Sequence, residues 1–400
     1  MSTLSNDTSA RVRRTVRFRE RQYKDVFTGE GGWEFEKILG HGAFGLTTLL
    51  KDKDPLHIRR NNPRRYPRRV VLKRPLVADR DVQDFYVESK ELEALRGHAH
   101  IAHLVDYTHT VEIFRSRAGR TADFLRRILR RVTNPPENIF KSLAYHDGPA
   151  IILDYLDNGP LLDFVARQRH FKIQLPNRLL WSLMHCMVRF CVGMTQRKAA
   201  PYDAPLQLEV PTEEYDEDSW TVTHNDIAAR NIMIGDYEPD VPEHRIAPKL
   251  VLIDFGMADH RASARQSELY NLQQVMHEMM WLILPRVDMK TARECEGSRT
   301  HAWELYPRNG RNRAPNLDPQ LRALLRDGMY EEFQERPSLR EMFARTSIGA
   351  GKPATAYGAR EPDETDQAIR QVVQQLLYDA DPPRTNAFGE IIARGGLAML

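Results

Sequence analysis

The sequence predicts an α+β fold of two lobes, a small antiparallel β-sheet lobe with one main helix followed by a larger, mainly helical lobe. Three observations predict it. Strand-type runs at Glu34 to Leu39, Leu46 to Leu50 and Arg69 to Lys73 crowd the first part of the chain, the first two joined by a glycine-rich turn. A single helical pattern follows them, Asp84 to Leu95, with Phe85, Glu88, Leu92 and Leu95 on one face and Gly97 as its stop. Beyond residue 157 the apolar periodicity is helical, broken by two short strand-like runs, Ile232 to Ile234 and Lys249 to Ile253.

The remaining elements follow in order. Residues 101–114 and 149–156 read as strands, and Asn177 to Met194 as a helix apolar enough to be buried on most sides. Thr195 to Ser219, acidic and containing proline, reads as an exposed insertion. Glu268 to Leu284 and Pro319 to Met329 are further helical patterns. After Ile348 the chain turns rich in Gly, Pro and Ala, with one helical candidate at Thr365 to Ala380, so a partly ordered tail is expected. The predicted organisation is a flexible basic extension over 1–32, a domain over 33–348 with lobes of about 33–156 and 157–348, and a tail over 349–400.

Composition excludes several classes. The chain has 400 residues, 41% hydrophobic and 28% charged, an ordinary core-forming mixture with a net charge of only +3. Its three cysteines, Cys186, Cys191 and Cys295, show neither a disulfide framework nor Cys/His metal spacing. No apolar run reaches the roughly 18 to 20 residues that span a bilayer, and Met1 to Ala10 lacks a signal-peptide core, so a cytoplasmic or nuclear protein is expected. The acid-poor stretch Arg11 to Lys24 leaves a weaker transit-peptide reading, against which Glu20 and the lack of a clear apolar face count.

Five motifs carry chemistry. Gly40-His41-Gly42-Ala43-Phe44-Gly45 has the GxGxxG form, in which missing Cβ atoms let backbone amides approach phosphate oxygens. It joins two strands rather than a strand and a helix, which favours a lid over ATP against a dinucleotide fingerprint; an ordinary glycine-rich hairpin turn remains the bland reading. Val70-Val71-Leu72-Lys73 ends a strand in an ammonium that can pair with the α- and β-phosphates, or in an ordinary surface lysine. Glu88 lies on the inward face of the first helix and can hold Lys73, with Glu91 as the rival partner. His224 to Asn231 reads HxDxxxxN, so Asp226 can orient or accept the proton of an attacking hydroxyl while Asn231 offers a neutral oxygen to magnesium. Asp254-Phe255-Gly256 ends an apolar strand in a second carboxylate, which calls for a cation such as Mg²⁺. His224 itself reads as a packed, hydrogen-bonded side chain rather than a base.

In this order and placement the motifs resemble the protein kinase superfamily over roughly residues 35–344. The resemblance implies ATP and Mg²⁺ as cofactors, Leu153 as gatekeeper, and Asp154 and Leu156 presenting backbone groups to adenine. It makes Arg230, in the Ala228-Ala229-Arg230 run, the cation near the transferred phosphoryl group, and Glu335-Arg336-Pro337-Ser338 the late motif of the helical lobe. Departures are equally specific. Asn225 replaces the arginine that receives an activation-loop phosphate in many kinases, only 14 positions separate Asp254 from the helix near Glu268, and no Ala-Pro-Glu motif is present. Glu268 stands where the family offers a buried aspartate to the catalytic loop, and Glu268 or Glu278 is the expected substitute partner for Arg336.

Thr121 to Val132 reads as a basic amphipathic helix, with Phe124, Leu125, Ile128, Leu129 and Val132 opposed to Arg126, Arg127, Arg130 and Arg131. It can pack by its apolar stripe or dock an acidic partner, nucleic acid or an anionic membrane; the arginine-rich loop Arg59 to Arg69 lacks the aromatic interleaving of a nucleic-acid site. The expected function is therefore transfer of the γ-phosphoryl of Mg-ATP to a protein Ser/Thr or Tyr hydroxyl. The alternatives are a small-molecule kinase of the choline or aminoglycoside type, and an ATP-binding pseudokinase scaffold.

Overall fold

Strand-forming runs near the start of the chain satisfy their backbone donors and acceptors against one another, which builds the first of two units. The computed structural model describes residues 2–27, 33–42, 45–52, 69–75, 82–108, 149–212, 220–261, 263–379 and the short stretches 384–385, 391–393 and 396–397. Unit 1 comprises Met1–Glu93 with His103–Tyr155, and unit 2 Ala94–Ala102 with Leu156–Leu400. Together they make a mixed α+β protein.

Unit 1 holds α1 (Ser2–Phe27), β1 (Trp33–Gly42), β2 (Gly45–Asp52), β3 (Arg69–Arg74), α2 (Val82–Ala94), β4 (Leu104–Thr108) and β5 (Ala150–Asp154). The five strands form one sheet in the order β1-β2-β3-β5-β4, every neighbouring pair antiparallel. Val70 and Leu72 of β3 are fully buried, as are Phe85 and Leu92 of α2, spaced i, i+7 on the face that also carries Glu88 and Ser89. Gly45, at φ 115°, closes the β1–β2 hairpin; a side chain there would collide with the Arg74 carbonyl of the adjacent strand.

The extension 1–32, expected to be flexible, contains α1. Tyr23 and Phe27, four residues apart, are buried with ring centroids 6.1 Å apart, and the Lys24 ammonium lies 5.4 Å from the Phe35 ring of β1. Two aromatics in the last two turns anchor a helix whose preceding sequence shows no apolar face.

Unit 2 holds α3 (Leu161–His170), α4 (Asn177–Gly193), β6 (Ile232–Ile234), β7 (Leu250–Leu252), α5 (Ala264–Ile283), β8 (Arg293–Cys295), β9 (Ser298–Thr300), α6 (Pro319–Gly328), α7 (Leu339–Ala350) and α8 (Asp366–Val373). Every residue of α4 is buried, including Arg178 and Arg189. Such charges need partners: Arg178 donates to the Glu364 carbonyl at 2.7 Å and to Asp366 at 2.8 Å, and Arg189 donates to Glu243 at 2.7 Å. The carboxylate of Glu364, itself fully buried, accepts the backbone N–H groups of Asn177 and Arg178 at 2.8 and 2.9 Å. It satisfies two of the donors that a helix start leaves open and complements the positive end of the helix dipole. The described residues 349–379 are thus built into unit 2, with Ile369, Val373 and Leu376 also buried.

Residues 94–102 group with unit 2, where Leu252 of β7 donates to His100 O and accepts from Ala102 N, both at 2.9 Å. The insertion Thr195 to Ser219 is not simply exposed: Glu209 is fully buried, and Gln207 exchanges backbone hydrogen bonds with Gly97 and Ala99. Residues 213–219, the loop over 59–68 and the basic helix over 121–132 lie outside the described residues. Among the described residues no helix is long and apolar enough to cross a membrane.

Where α7 crosses α4, a Cβ on Gly349 would overlap the Trp181 ring. Gly349→Ala should lower stability by about 1 to 3 kcal/mol in urea unfolding, the usual range for overpacking a core. Ile348→Ala, at a side chain that is 70% exposed, should change it by under about 0.5 kcal/mol.

Candidate active site

In unit 1, β3 and α2 bring Lys73 and Glu88 together. The Lys73 ammonium donates to Glu88 Oε2 at 2.6 Å and lies 5.8 Å from the Phe85 ring centroid, with the Glu88 side chain 1% exposed. Glu88, not Glu91, therefore holds the lysine. Gly40 and Gly42 lie in β1 opposite Thr47 and Gly45, and a Cβ on Gly40 would meet nothing within 4 Å. Among the described residues, packing requires a glycine at 45 but not at 40. Asp154, expected to offer backbone groups to a ligand, commits its N–H to the His103 carbonyl at 3.2 Å and its carboxylate to His103 Nδ1 at 2.7 Å. Leu153 is a buried β5 residue, and Leu156 opens the second segment of unit 2.

In unit 2 the loop 223–231 and the Asp254 turn are fastened to each other by the β6–β7 ladder. Ile232 pairs with Leu252, and Ile253 N–H donates to the Asn231 carbonyl at 2.9 Å, so Asn231 and Asp254 emerge at the same end of the hairpin. Asp254 adopts φ 69°, ψ 69°, a left-handed conformation that aspartate and asparagine tolerate better than most residues. The Asn231 amide nitrogen donates to the Asp226 carbonyl at 2.9 Å and to Asp226 Oδ2 at 2.8 Å. With its nitrogen spent on Asp226, the side chain turns its Oδ1 away as an acceptor. Arg230 pairs with Asp226 Oδ1. A hard dication fits the oxygen set of Asn231 Oδ1 and the Asp254 carboxylate.

His224 joins the two loops. Its Nε2 faces the Ile253 carbonyl at 3.0 Å and its Nδ1 faces the Asp226 N–H at 3.2 Å, so the first nitrogen donates and the second accepts. That assignment makes a neutral ring, packed edge-on against Phe255 with centroids 4.6 Å apart. Asn225, at φ 65°, donates to the Met257 carbonyl and accepts from Arg261, both at 2.9 Å. Thr223 and Asp259 exchange backbone hydrogen bonds of 2.8 and 2.9 Å. The stretch after Gly256 is thereby laid along the loop 223–231, and α5 starts at Ala264, four residues before Glu268, with Ser263 as its cap. The separation from Asp254 is shorter than the sequence suggests.

Side chains missed by sequence reasoning hold the loop from beneath. Ser267, Asn271, Gln274 and Glu278, spaced i, i+4, i+7, i+11, line one face of α5. Ser267 accepts from the Thr223 hydroxyl at 2.9 Å, Asn271 from His224 N at 3.1 Å, Gln274 from Ile227 N at 2.6 Å and Glu278 from Ala229 N at 2.9 Å. Asn271 Nδ2 also donates to the Val222 carbonyl at 2.8 Å. Asn271 thus gives the His224 N–H the support expected of Glu268, whose carboxylate lies 3.5 Å from Arg265. Arg336 is likewise not paired with Glu268 or Glu278: it donates to the Tyr330 carbonyl at 2.7 Å and to Gln273 at 3.1 Å, and burial lowers its guanidinium to about 10. The legible signal was the polar stripe itself, four hydrogen-bonding side chains at helical spacing among Leu272, Val275, Met276 and Met279.

Burial pushes the Glu278 carboxyl up to about 7; the Asp226 carboxylate adds to the rise, while the Ala229 N–H, Arg230 and Arg169 oppose it. The folded state therefore holds this proton more tightly than the unfolded chain, where the group titrates near 4.5. Its contribution to stability is fully present below pH 4.5 and is lost as pH rises through about 7. Glu278→Gln should remove that loss: between pH 4.5 and 7 the wild type should lose up to about 3 kcal/mol relative to the variant in parallel urea titrations.

No protein-family model matches the chain, and no curated protein matches its sequence.

Proposed function

We propose that the chain is an ATP-dependent phosphotransferase with a two-lobed, protein-kinase-like fold that transfers the γ-phosphoryl of Mg-ATP to a protein Ser/Thr or Tyr hydroxyl. The observation that carries this reading is the bond from Asn231 Nδ2 to Asp226, made by the residue whose carbonyl also anchors the strand end preceding Asp254. It supports the reading because it ties the Asp226 carboxylate to Asn231, so that a proton acceptor and the oxygen ligands of a metal would share one hairpin end, as phosphoryl transfer requires. The buried Lys73–Glu88 pair supplies a fixed ammonium for the α- and β-phosphates.

Bound magnesium would neutralise phosphate charge. Asn231 Oδ1 and Asp254 would hold it; Asp226 would orient the acceptor hydroxyl and take its proton as the oxygen–phosphorus bond forms and the bond to ADP breaks. Arg230 keeps a cation beside Asp226. Gly40 and Gly42 would let the β1–β2 hairpin approach the phosphates, and Leu156 and the Asp154 carbonyl would meet the adenine.

A second reading, a small-molecule acceptor, is favoured by one observation. The stretch from Met257 to Arg261 is tied to Thr223 and Asn225 rather than extended as a peptide-binding platform. Purified protein with labelled ATP and Mg²⁺, beside Asp226→Asn, should be tested on a protein mixture and a metabolite panel. Transfer should fall about 10² to 10⁴-fold in the variant, the usual weight of a positioned base. Labelled metabolites and unlabelled protein would favour the second reading. No label above the variant in either panel refutes phosphotransfer, and ATP-induced thermal stabilisation without turnover would leave a scaffold.

A further inference from the structure

Three buried side chains from separate parts of unit 2 converge on one point. His100 comes from the segment 94–102, Cys186 from the middle of α4, and His244 from the turn Pro242–His244; all three are 0% exposed. Their ligand-type atoms lie within 4.8 Å of one another, with His100 Nε2 3.1 Å from His244 Nε2 and Cys186 Sγ 3.3 Å from His244 Nε2.

The outer nitrogen of each imidazole is already taken. His100 Nδ1 lies 2.6 Å from Glu209 Oε2, and His244 Nδ1 lies 2.7 Å from Glu238 Oε2. Both carboxylates are themselves fixed: Glu209 Oε1 accepts the His100 N–H at 2.8 Å, and Glu238 Oε1 accepts from Lys249 at 2.6 Å. An ionised carboxylate only accepts, so each Nδ1 donates and each ring turns its Nε2 toward the other ring and toward Cys186. Two imidazole nitrogens 3.1 Å apart and one sulfur thus converge on a single buried point. A cation placed there would be met by all three at once.

We propose that His100, Cys186 and His244 bind a divalent transition-metal ion of zinc's class. Around a tetrahedral zinc, N···N edges of about 3.3 Å and N···S edges of about 3.6 Å follow from its bond lengths, close to the 3.1 and 3.3 Å that separate His244 Nε2 from His100 and from Cys186. One thiolate and two imidazoles are the donor set such an ion prefers over magnesium or calcium. Glu209 and Glu238 complete the arrangement, since metal-bound histidines characteristically give their other N–H to a carboxylate. The fourth position falls to a water molecule. The ion would clamp the segment 94–102, α4 and the turn after β6 together, a structural role that uses none of the residues proposed to handle ATP. Sequence alone missed it because the ligands stand at 100, 186 and 244, with no short Cys/His spacing.

The full chain, purified without added metal or metal-affinity steps, should carry about one zinc per molecule by elemental analysis. Stripping with a chelator should lower its melting temperature, and zinc should restore it. Cobalt-loaded protein should show tetrahedral d–d bands and a thiolate-to-cobalt charge-transfer band, which Cys186→Ser should abolish. Glu238→Gln, at a part-exposed side chain, should weaken metal affinity about 10 to 100-fold. A chain that neither contains nor takes up zinc or cobalt at stoichiometry overturns the proposal. So does a wild-type cobalt spectrum without the thiolate band, a result that stands even where Cys186→Ser fails to fold.

Discussion

From His224 to Ala228 the chain belongs to no helix and to no strand, so its N–H groups need acceptors from elsewhere, and α5 provides several of them, one for Ala229 included. Asn271, Gln274 and Glu278 receive the N–H groups of His224, Ile227 and Ala229 in turn, while Ser267 receives the Thr223 hydroxyl. A buried donor without a partner costs about 1 to 3 kcal/mol, so each of these bonds restricts the loop to one path. The path decides where Asp226 and Asn231 point. The β6–β7 pairing then carries the same constraint to Asp254.

Unit 2 is notable for how much charge it buries and how consistently it pairs that charge. Glu364 sits on the first turn of α4, Arg189 on Glu243, and Glu209 on His100. Each pair joins segments far apart in the chain. Removing one partner from such a pair leaves a buried charge uncompensated, which is far more destabilising than the pair is stabilising. Exacting geometry, rather than strength, is what these contacts supply, and α4 is their common scaffold. The Lys73–Glu88 pair in unit 1 obeys the same rule: an ammonium on a strand is held at one orientation by a carboxylate on a helix.

Two departures from the kinase resemblance acquire physical content. Asn225, standing where an arginine would receive a phosphate, uses its left-handed backbone and its amide to bind Met257 and Arg261 directly. Order in the short stretch after Gly256 thus comes from fixed hydrogen bonds. No phosphorylated side chain is required for it, in contrast to control by an added phosphate and an arginine.

Local spacing by itself determined the α+β class, the strands around the glycine hairpin, the helix bearing Glu88, and the grouping of Asp226 with Asn231 and of Asp254 with its strand end. These are relations within some ten residues, where side-chain periodicity and turn chemistry act directly. Tertiary structure decided the rest. Whether Asn271 or Glu268 faces the loop depends on which face of α5 is turned toward it, and the helical pattern alone did not say. That Glu209 is interior, that Glu364 caps a helix 187 positions away, and that His100, Cys186 and His244 meet at all depend on long-range packing. Charged and polar residues read as surface from composition because burial is normally too costly for them; only the fold shows where a partner has been brought close enough to offset that cost.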